Sequence, residues 1–516
     1  MRRFRAVLAC CGLAAVVALT GGAAVPAHAT AKQAMAPIRP AISDWQYLGN
    51  GSTPPSQAAC NTFGRRCFNP AAMASAYNYA SLHAAGNEGQ GKTIAIIDSF
   101  GASTIRQDLG VFNTAFGLPH LCGETGPSDP SANCPSSSVT PRFDIVCFQG
   151  CPPPKPPPPS NSTYQEARNL WALEVALDVE WAHATAPMAN IMLVTTPTAE
   201  TLGVQGFPQM MNAEQYVVDN HMADVITQSF GAGEGSFHNG MAAINQLRQA
   251  FIDAQANHVT VFASSGDGGT TNTYKEPVKN PGAIPYPSVI WPASDPLVTS
   301  VGGTYLCTNA SAAATDPRTL DNTSPPSNCQ NQSQNEVGWL DSGGGYSILF
   351  PRPDYQNTLP PGSTFVGSSV GAPGPNTNMR GVPDVAYQAS SHTGVLVYVT
   401  EPYPPGATST GCGGANPCQT GWYVVGGTSA GSPQWAGLIA MADQIAGRDL
   451  GFINPALYAI ADNPAMYAAD FNDVTVGTHQ TSSIPGYSAS TGWDAVTGLG
   501  TPDVAKLIPD LIANTP

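Results

Sequence analysis

Short apolar runs alternate with longer helical patterns through the middle of the chain. The apolar runs occupy residues 93–97, 191–194, 224–227 and 259–263, and the helical patterns occupy residues 164–186 and 241–257. Continuous apolar strands separated by helices are typical of a parallel sheet covered on both faces. The pattern therefore predicts a doubly wound α/β fold with a mainly parallel sheet.

Long polar stretches interrupt this alternation. Residues 121–163, 305–337 and 353–379 are rich in Pro, Asn, Ser and Thr, and the first of them holds the proline run 152–159. Such a run favours polyproline II and not a packed element. We therefore expect long loops between the elements of one large domain.

The first 29 residues have the pattern of a signal peptide. Three arginines within residues 1–5 precede an apolar stretch, and Ala27 and Ala29 fit an A-x-A cleavage site. We expect a secreted, extracellular protein that begins near Thr30, with the export route left open. Later apolar runs are too short to cross a bilayer, so we expect no membrane association after signal removal.

Ten of the twelve cysteines follow the signal sequence and occur as close neighbours. The neighbours are Cys60 and Cys67, Cys122 and Cys134, Cys147 and Cys151, Cys307 and Cys329, and Cys412 and Cys418. Export favours disulfides in surface loops, although spacing does not fix their connectivity.

Charge excludes one class of partner. Only 11% of residues are charged, with 35 acidic against 20 basic side chains and a net charge of -15. We expect no nucleic-acid partner, because no basic stripe is present. In acid the carboxylates become protonated and neutral, and the basic groups that stay charged are too few to repel one another strongly. This composition favours an acidic working environment.

A glycine turn near the end of the chain delivers a serine to the start of an apolar helix. Residues 426–433 read Gly-Gly-Thr-Ser-Ala-Gly-Ser-Pro. A helix N-terminus supplies unpaired N–H groups, so an oxyanion forming beside Ser429 would meet donors. The alternative is that Thr428 and Ser429 only cap a core helix.

A serine nucleophile needs a base, and the chain offers carboxyl groups. Asp98 follows an apolar strand, as a subtilisin aspartate would, but no histidine lies in a matching motif. Glu174 and Asp178 are four residues apart, which places both on one helix face. Such a pair favours sharing a proton; the alternative is a solvated helix face.

A third aspartate lies in a glycine turn after a buried strand. Asp267 follows residues 259–263, at the edge where open α/β sheets place their ligands. A protonated Asp267 could donate a hydrogen bond to an oxyanion. It could also simply bond the amides of its own turn.

Together these motifs resemble the sedolisin family of serine-carboxyl peptidases, which have a subtilisin-like fold. The resemblance extends from about Asn69 to Leu511. It implies Ser429 as nucleophile, Glu174 as base, Asp178 as its orienting partner and Asp267 as oxyanion donor. Polypeptide substrates follow from it, whereas endopeptidase and tripeptidyl-peptidase action both stay open.

The resemblance also implies one structural Ca2+ ion near the C-terminus. Its ligands would be the carboxylates of Asp473 and Asp494 and the backbone carbonyls of Val474, Ser490 and Gly492, an all-oxygen set. Ser490 stands where the family usually has glycine. The alternative is that both segments are turns rich in Asp and Asn.

A glutamate base implies activity in acid. Glutamate has an ordinary pKa of ~4.3, against ~6.5 for histidine, so it stays ionised where histidine would not. Asp267 must keep its proton, so activity should fade toward neutral pH.

The domain boundaries follow from these segments. We expect a signal peptide over residues 1–29, a short N-terminal segment over 30–68 that could be a pro-segment, and a monomeric peptidase domain over 69–516. Segment 30–68 is too short for the long propeptide of the family. Two other functions stay open: an inactive secreted binding protein, and a subtilisin-type peptidase that uses Asp98 and an unidentified histidine.

Overall fold

A computed structural model describes most of the chain beyond the N-terminal segment. The described residues are 39–42, 44–124, 140–149, 162–197, 206–237, 239–272, 284, 286–310, 320–321, 325–359, 363, 369–370, 378–400, 419–479 and 484–516. All of them belong to one compact unit, residues 35–516. The expected signal peptide and the proline run 152–159 lie outside them.

The strands share short lengths and mostly buried sequences. In chain order they are β1 (Arg39–Pro40), β2 (Asp44–Gly49), β3 (Arg66–Phe68), β4 (Thr93–Ser99), β5 (Phe143–Cys147), β6 (Asn190–Thr196), β7 (Val225–Gln228), β8 (Phe230–Gly233), β9 (Thr260–Ser264), β10 (Ile290–Trp291), β11 (Thr299–Leu306), β12 (Glu336–Gly338), β13 (Gly345–Pro351), β14 (Ser369–Val370), β15 (Met379–Val382), β16 (Val385–Gln388), β17 (Thr393–Val399), β18 (Gly421–Gly426), β19 (Phe471–Asn472), β20 (Gly486–Tyr487) and β21 (Thr501–Pro502).

The helices lie between these strands and at the C-terminal end. In chain order they are α1 (Gln57–Asn61), α2 (Pro70–Ala76), α3 (Ala80–Ala84), α4 (Ile105–Phe116), α5 (Ser162–Thr185), α6 (Phe207–Asp219), α7 (Met241–Ile244), α8 (Gln249–Ala256), α9 (Gly431–Ala446), α10 (Asn454–Asp462), α11 (Pro464–Asp470) and α12 (Val504–Asn514).

The central sheet confirms the doubly wound α/β expectation. Its strand order is β12-β11-β9-β7-β4-β6-β5, and β16 also pairs with β11. All of these pairings are parallel except that of β11 with β12. Parallel sheets need both faces covered.

Both faces of β4 are buried, which explains its uninterrupted apolar sequence. Ile94 and Ile96 face the core that includes α5 and α9, whereas Ala95 and Ile97 face the core built on α6 and α8. Successive side chains of a strand point to opposite faces. The continuous apolar run therefore results from helices on both sides.

Two smaller sheets bring the N-terminal segment into the fold. The four-stranded sheet has the order β2-β18-β17-β3, and a three-stranded sheet has the order β1-β8-β10. β1 pairs antiparallel with β8, and β2 pairs antiparallel with β18. Described residues of segment 30–68 are thus paired with strands from the rest of the chain.

One predicted helix is divided in two. The apolar pattern over 241–257 forms two helices: α7 ends at Ile244, and α8 begins at Gln249. The break coincides with Arg248, whose guanidinium donates two 2.8 Å hydrogen bonds to the buried carboxylate of Asp295. Hydrophobic periodicity carries no information about such a distant ion pair.

Two of the expected cysteine pairs form disulfides. Cys60 bonds to Cys67, and Cys307 bonds to Cys329. Cys122 and Cys147 are also disulfide-bonded. The neighbours expected for them, Cys134 and Cys151, lie outside the described residues, as do Cys412 and Cys418.

Within the described helices, none is both long enough and apolar enough to span a membrane.

Candidate active site

Helix α5 carries the predicted pair of carboxyl groups into the protein interior. Glu174 and Asp178 lie one turn apart, and neither side chain is exposed to solvent. The helix packs against α9, α4 and β17, so the face that a solvated helix would show to water is covered. The solvated-face alternative for this pair is therefore wrong.

Asp98 joins these two carboxyl groups. It lies near the end of β4, is completely buried, and has its pKa raised by burial and by the charge of Asp178. Burial raises the pKa of Glu174 well above its ordinary value, and Asp178 and Asp98 add to this. Burial also raises the pKa of Asp178, against a hydrogen bond from Ser229. Because charges of one sign repel, the cluster favours retaining protons.

The direction of these shifts refines the expectation for the base. From the sequence alone, Glu174 would have an ordinary glutamate pKa, whereas desolvation in the buried cluster raises that pKa. One carboxylate in such a cluster must overcome desolvation alone, but a second and a third must also overcome charge repulsion. The cluster can therefore supply one base while its other members stay neutral.

Ser429 lies beside this cluster, in a short 3-10 turn that precedes α9. The turn spans Thr428–Ala430 and follows Gly427, whose φ of 137° and ψ of 158° favour glycine. The Ser429 hydroxyl acts to lower the pKa of Glu174, which places it next to that carboxyl group. In the described part of the chain, neither the hydroxyl nor either Glu174 oxygen makes a hydrogen bond of ordinary geometry.

Asp267 faces the same turn from the end of β9. Its Oδ1 accepts hydrogen bonds from the backbone N–H and the hydroxyl of Thr428, at 2.8 and 2.9 Å. Its Oδ2 lies beside Gly427, where a Cβ atom would be 2.7 Å from it. Asp267 thus accepts from an amide of the turn that carries Ser429, whereas its alternative predicted bonds to amides of its own turn.

The structure adds two site residues that local sequence patterns do not identify. Ser229 donates a 3.0 Å hydrogen bond to Oδ1 of Asp178, and Thr428 fixes Asp267. Ser229 lies between β7 and β8, in a glycine-rich segment. The only sequence feature that hints at a role for Ser229 is the position of this segment at the end of a central strand. Thr428 adjoins the serine, but its position predicts only a helix cap.

Three of the described histidines are engaged elsewhere. His83, His183 and His479 bond the backbone carbonyls of Thr185, Pro119 and Ser342. Asp98 has a carboxyl group and not an imidazole as its charged neighbour. The subtilisin-type alternative is therefore not favoured.

Comparison with known proteins identifies the family. The Subtilase family model matches residues 175–451. Kumamolisin from Bacillus sp. (strain MN-32) is 32% identical over 344 residues, which are 66% of this chain and 50% of kumamolisin. Sedolisin from Pseudomonas sp. (strain 101) is 29% identical over 443 residues, 85% of this chain and 60% of sedolisin. The chain thus spans about half to three fifths of these relatives.

A solved structure gives the same result for the fold. Pseudomonas sedolisin, a serine-carboxyl proteinase complexed with two molecules of pseudo-iodotyrostatin, aligns with a TM-score of 0.58 and 26% identity. The alignment covers 86% of this chain and 98% of that chain. The chain belongs to the Subtilase family, in its sedolisin branch.

The two segments that the sedolisin resemblance assigns to calcium lie together. The backbone N–H of Gly492 contacts both carboxyl oxygens of Asp473, at 3.1 and 3.0 Å. The N–H of Ser490 contacts Oδ2 of Asp494 at 3.1 Å. Val474 is buried beside Asp473 in the chain. The fold therefore brings both predicted carboxylates and two of the three predicted carbonyl residues into one region.

This region has the chemistry of a cation site in part. Burial raises the pKa of Asp494 to about 7, and it raises that of Asp473. Neither makes an ion pair with another described residue. Among the described residues, no group of three or more His, Cys, Asp or Glu could hold a metal. A site here would rest on two carboxylates and backbone carbonyls, a set that suits calcium.

Proposed function

We propose that this chain is a secreted serine-carboxyl peptidase that hydrolyses peptide bonds in acid. The observation that carries the proposal is the buried cluster of Glu174, Asp178 and Asp98 next to the hydroxyl of Ser429. Burying several carboxyl groups side by side is costly, and clusters of buried carboxyl groups with raised pKa values beside a nucleophile are typical of catalytic sites. Its sedolisin relatives support the same activity.

In the proposed reaction, Glu174 takes the proton of Ser429 as the hydroxyl attacks the substrate carbonyl. Asp178 orients Glu174 from the next helical turn, and Ser229 holds Asp178. The backbone N–H of Ser429 and a protonated Asp267 stabilise the oxyanion. Glu174 then returns the proton to the leaving amine, and water hydrolyses the acyl-enzyme by the same steps.

Acid favours this arrangement of protons. The reaction needs one ionised carboxylate at Glu174 and a proton on Asp267. Burial and repulsion let the cluster keep its remaining protons well above the pH at which isolated carboxyls lose them. As the pH rises, the cluster and Asp267 lose these protons, so activity should fall toward neutral pH.

The wider setting of the enzyme follows from the rest of the chain. Disulfides such as Cys60–Cys67 and Cys307–Cys329 support an oxidising compartment, in line with a signal peptide over residues 1–29. The substrates would be polypeptides unfolded by acid. We further propose one structural Ca2+ held by Asp473, Val474, Ser490, Gly492 and Asp494, where it would neutralise the carboxylates of Asp473 and Asp494.

The test compares Glu174→Gln with a matched change on the same helix. Glu180 is also a buried α5 carboxyl with a raised pKa, but it accepts a hydrogen bond from the N–H of Tyr398. We measure kcat for an acid-denatured protein substrate between about pH 3 and pH 8. Glu174→Gln should lower kcat by roughly 10²–10⁴, the usual contribution of a general base.

Glu180→Gln should leave kcat within about threefold of wild type, and Ser429→Ala should abolish turnover. The proposal is wrong if Glu174→Gln keeps most of the activity, as a histidine-based mechanism requires. An optimum near pH 8 would also contradict it.

A further inference from the structure

Thr428 connects the turn that carries Ser429 to the turn that carries Asp267. It immediately precedes Ser429 in the 3-10 turn and is completely buried. Its backbone N–H and its hydroxyl both lie within hydrogen-bond distance of the same carboxyl oxygen of Asp267, Oδ1, at 2.8 and 2.9 Å. One residue therefore directs two contacts at one of the two carboxyl oxygens.

A third contact fixes the direction in which the Thr428 hydroxyl donates. The backbone N–H of Gly266 donates a 3.0 Å hydrogen bond to Oγ1 of Thr428. Because Oγ1 accepts from Gly266, the single hydroxyl proton is available for Oδ1 of Asp267. The hydrogen bonds thus run in one direction, from Gly266 through Thr428 to Asp267.

This arrangement decides which oxygen of Asp267 carries a proton. A neutral carboxyl group has one oxygen that bears the proton and one carbonyl oxygen that accepts hydrogen bonds. A proton on Oδ1 would meet the backbone N–H of Thr428, which can only donate. With two donors directed at it, Oδ1 is the carbonyl oxygen, so the proton of neutral Asp267 belongs on Oδ2.

Oδ2 is also the oxygen of Asp267 that faces a carbonyl group. The carbonyl oxygen of Ala41 accepts a hydrogen bond from the backbone N–H of Ser429, with 3.3 Å between nitrogen and oxygen. A Cβ atom on Gly427 would lie 2.0 Å from this oxygen and 2.7 Å from Oδ2 of Asp267. A proton on Oδ2 is therefore on the side at which a carbonyl oxygen meets the N–H of Ser429.

We propose that Thr428 is a positioning residue that keeps the proton of Asp267 on Oδ2, where it can be donated to the oxyanion. The proposal rests on the proposed function. As Oγ of Ser429 bonds to the substrate carbonyl carbon, the carbonyl π bond breaks and negative charge develops on its oxygen. The Oδ2–H group donates a hydrogen bond to that oxygen and keeps its proton, so Thr428 acts only through Asp267.

Removal of the Thr428 hydroxyl should affect kcat more than KM. The oxyanion forms only as the reaction proceeds, so a misplaced proton weakens the transition state and not the bound substrate. Thr428→Val keeps the shape of the side chain but removes the hydroxyl. We expect it to lower kcat by roughly 10–10²-fold, less than the 10²–10³-fold cost of removing an oxyanion donor outright. KM should stay within about twofold.

The pH profile distinguishes this role from a purely structural one. Hydrogen bonds donated to a carboxyl group favour its ionised form, so without the Thr428 hydroxyl Asp267 should keep its proton to higher pH. A hydrogen bond to a charged group corresponds to a shift of about one pH unit. The alkaline limb of the kcat profile of Thr428→Val should therefore move up by about one pH unit, although its maximum is lower.

A second carboxyl group near Asp267 does not change this comparison. The charge of Asp267 raises the pKa of Glu174 on α5, so the two groups influence each other. Wild type and all the threonine variants keep both carboxyl groups. A difference in their alkaline limbs therefore reports the hydroxyl.

The test compares Thr428→Val with Thr428→Ser and Thr260→Val in the full chain. Thr260 is a second buried threonine, in β9, and its hydroxyl donates a 2.6 Å hydrogen bond to the carbonyl oxygen of Gly451. We measure kcat and KM for an acid-denatured protein substrate between about pH 3 and pH 8, and thermal unfolding of each variant. Thr428→Ser should recover most of the lost kcat and the wild-type alkaline limb. Thr260→Val should lose stability but keep the wild-type kcat and profile.

The outcomes distinguish the two proposals. If wild type digests the substrate in acid but Thr428→Ser is as impaired as Thr428→Val, the role of the hydroxyl is wrong and the proposed function stands. The same holds if the alkaline limb of Thr428→Val does not move. Thr428→Ala, which also lacks the hydroxyl, replaces Thr428→Val if thermal unfolding shows that valine prevents folding. If wild type digests nothing in acid, the proposed function itself is wrong.

Discussion

Gly427 is the residue at which the site most depends on the absence of a side chain. Its φ of 137° and ψ of 158° lie in a region that is almost restricted to glycine. Any Cβ atom there would occupy the space between Asp267 and the carbonyl oxygen of Ala41. The position is therefore constrained both by backbone conformation and by access of a carbonyl group to the oxyanion donors.

We expect Gly427→Ala to reduce kcat/KM for a peptide by at least about 10²-fold, the cost of losing one oxyanion donor. Its strain should cost about 1–3 kcal/mol of stability. The measurement is peptide hydrolysis at acidic pH, with thermal unfolding to show that the variant is folded.

Gly447→Ala is the matched control for this change. Gly447 caps α9 with a φ of 66°, and no atom lies within 4 Å of its Cβ position. This variant should lose about 1–2 kcal/mol of stability but keep its activity. Equal activity losses in both variants would show that strain, and not access to the oxyanion donors, is responsible.

Sequence alone identifies those site residues that lie in a recognisable local pattern. Glu174 and Asp178 can be found because four residues make about one helical turn, and Ser429 because glycines precede a helix. Asp98 and Ser229 reach the same cluster from β4 and the end of β7, and only the order of strands in the sheet brings them there. Hydrophobic patterns do not encode that order.

Helix α5 shows the same limit for an element. Its helical pattern is visible in the sequence, and the structure places it over Ser162–Thr185. What the pattern could not show is that α9, α4 and β17 all pack against the helix, so that Glu174, Asp178 and Glu180 become buried. A charged residue predicts a solvated face only when no second layer lies over the helix.

The proposed calcium site lies between two turns, the turn after β19 and the turn at 490–494. We expect a chelator to lower the melting temperature and added Ca2+ to restore it, because a ligand at 100 times its Kd stabilises a fold by about 2.7 kcal/mol. Asp473→Asn should abolish this response. The measurement is thermal unfolding of Ser429→Ala, which avoids self-digestion, with and without Ca2+.

An exposed carboxylate provides the comparison. Asp462 lies at the end of α10, outside both turns. Asp462→Asn in the same background should respond to Ca2+ as the parent does. If neither chelator nor Ca2+ changes the melting temperature of Ser429→Ala, the calcium proposal is wrong. The assignment of Ser429 would not be affected.

Buried carboxyl groups extend through the whole molecule. Burial raises the pKa of Asp108 to about 7 and that of Asp443 to about 8, and it raises the pKa values of Glu180 and Glu214 well above their ordinary range. These groups lie outside the proposed active site. With 35 acidic and only 20 basic residues, the chain has few cations to compensate them.

Raised carboxyl pKa values make the folded state prefer the protonated form. Below the unfolded values of 3.8 for Asp108 and Asp443, both states are protonated and no stability is lost. Above them the unfolded chain ionises first, so the free energy of unfolding falls until the pH passes the folded values of about 7 and 8. Each tenfold difference in proton affinity between the folded and unfolded states corresponds to about 1.4 kcal/mol.

We therefore expect the melting temperature of Ser429→Ala to be highest near pH 4 and to fall continuously toward about pH 8. Asp108→Asn should make this decline shallower, because it removes a buried group that ionises within the window. The exposed Asp219→Asn, which removes the same charge at the surface, should leave the slope unchanged. A melting temperature that rises from pH 4 to pH 8 would show that the buried carboxyls do not control stability. In that case acid activity would depend on the catalytic cluster alone, and not on a fold that is most stable where its active site works.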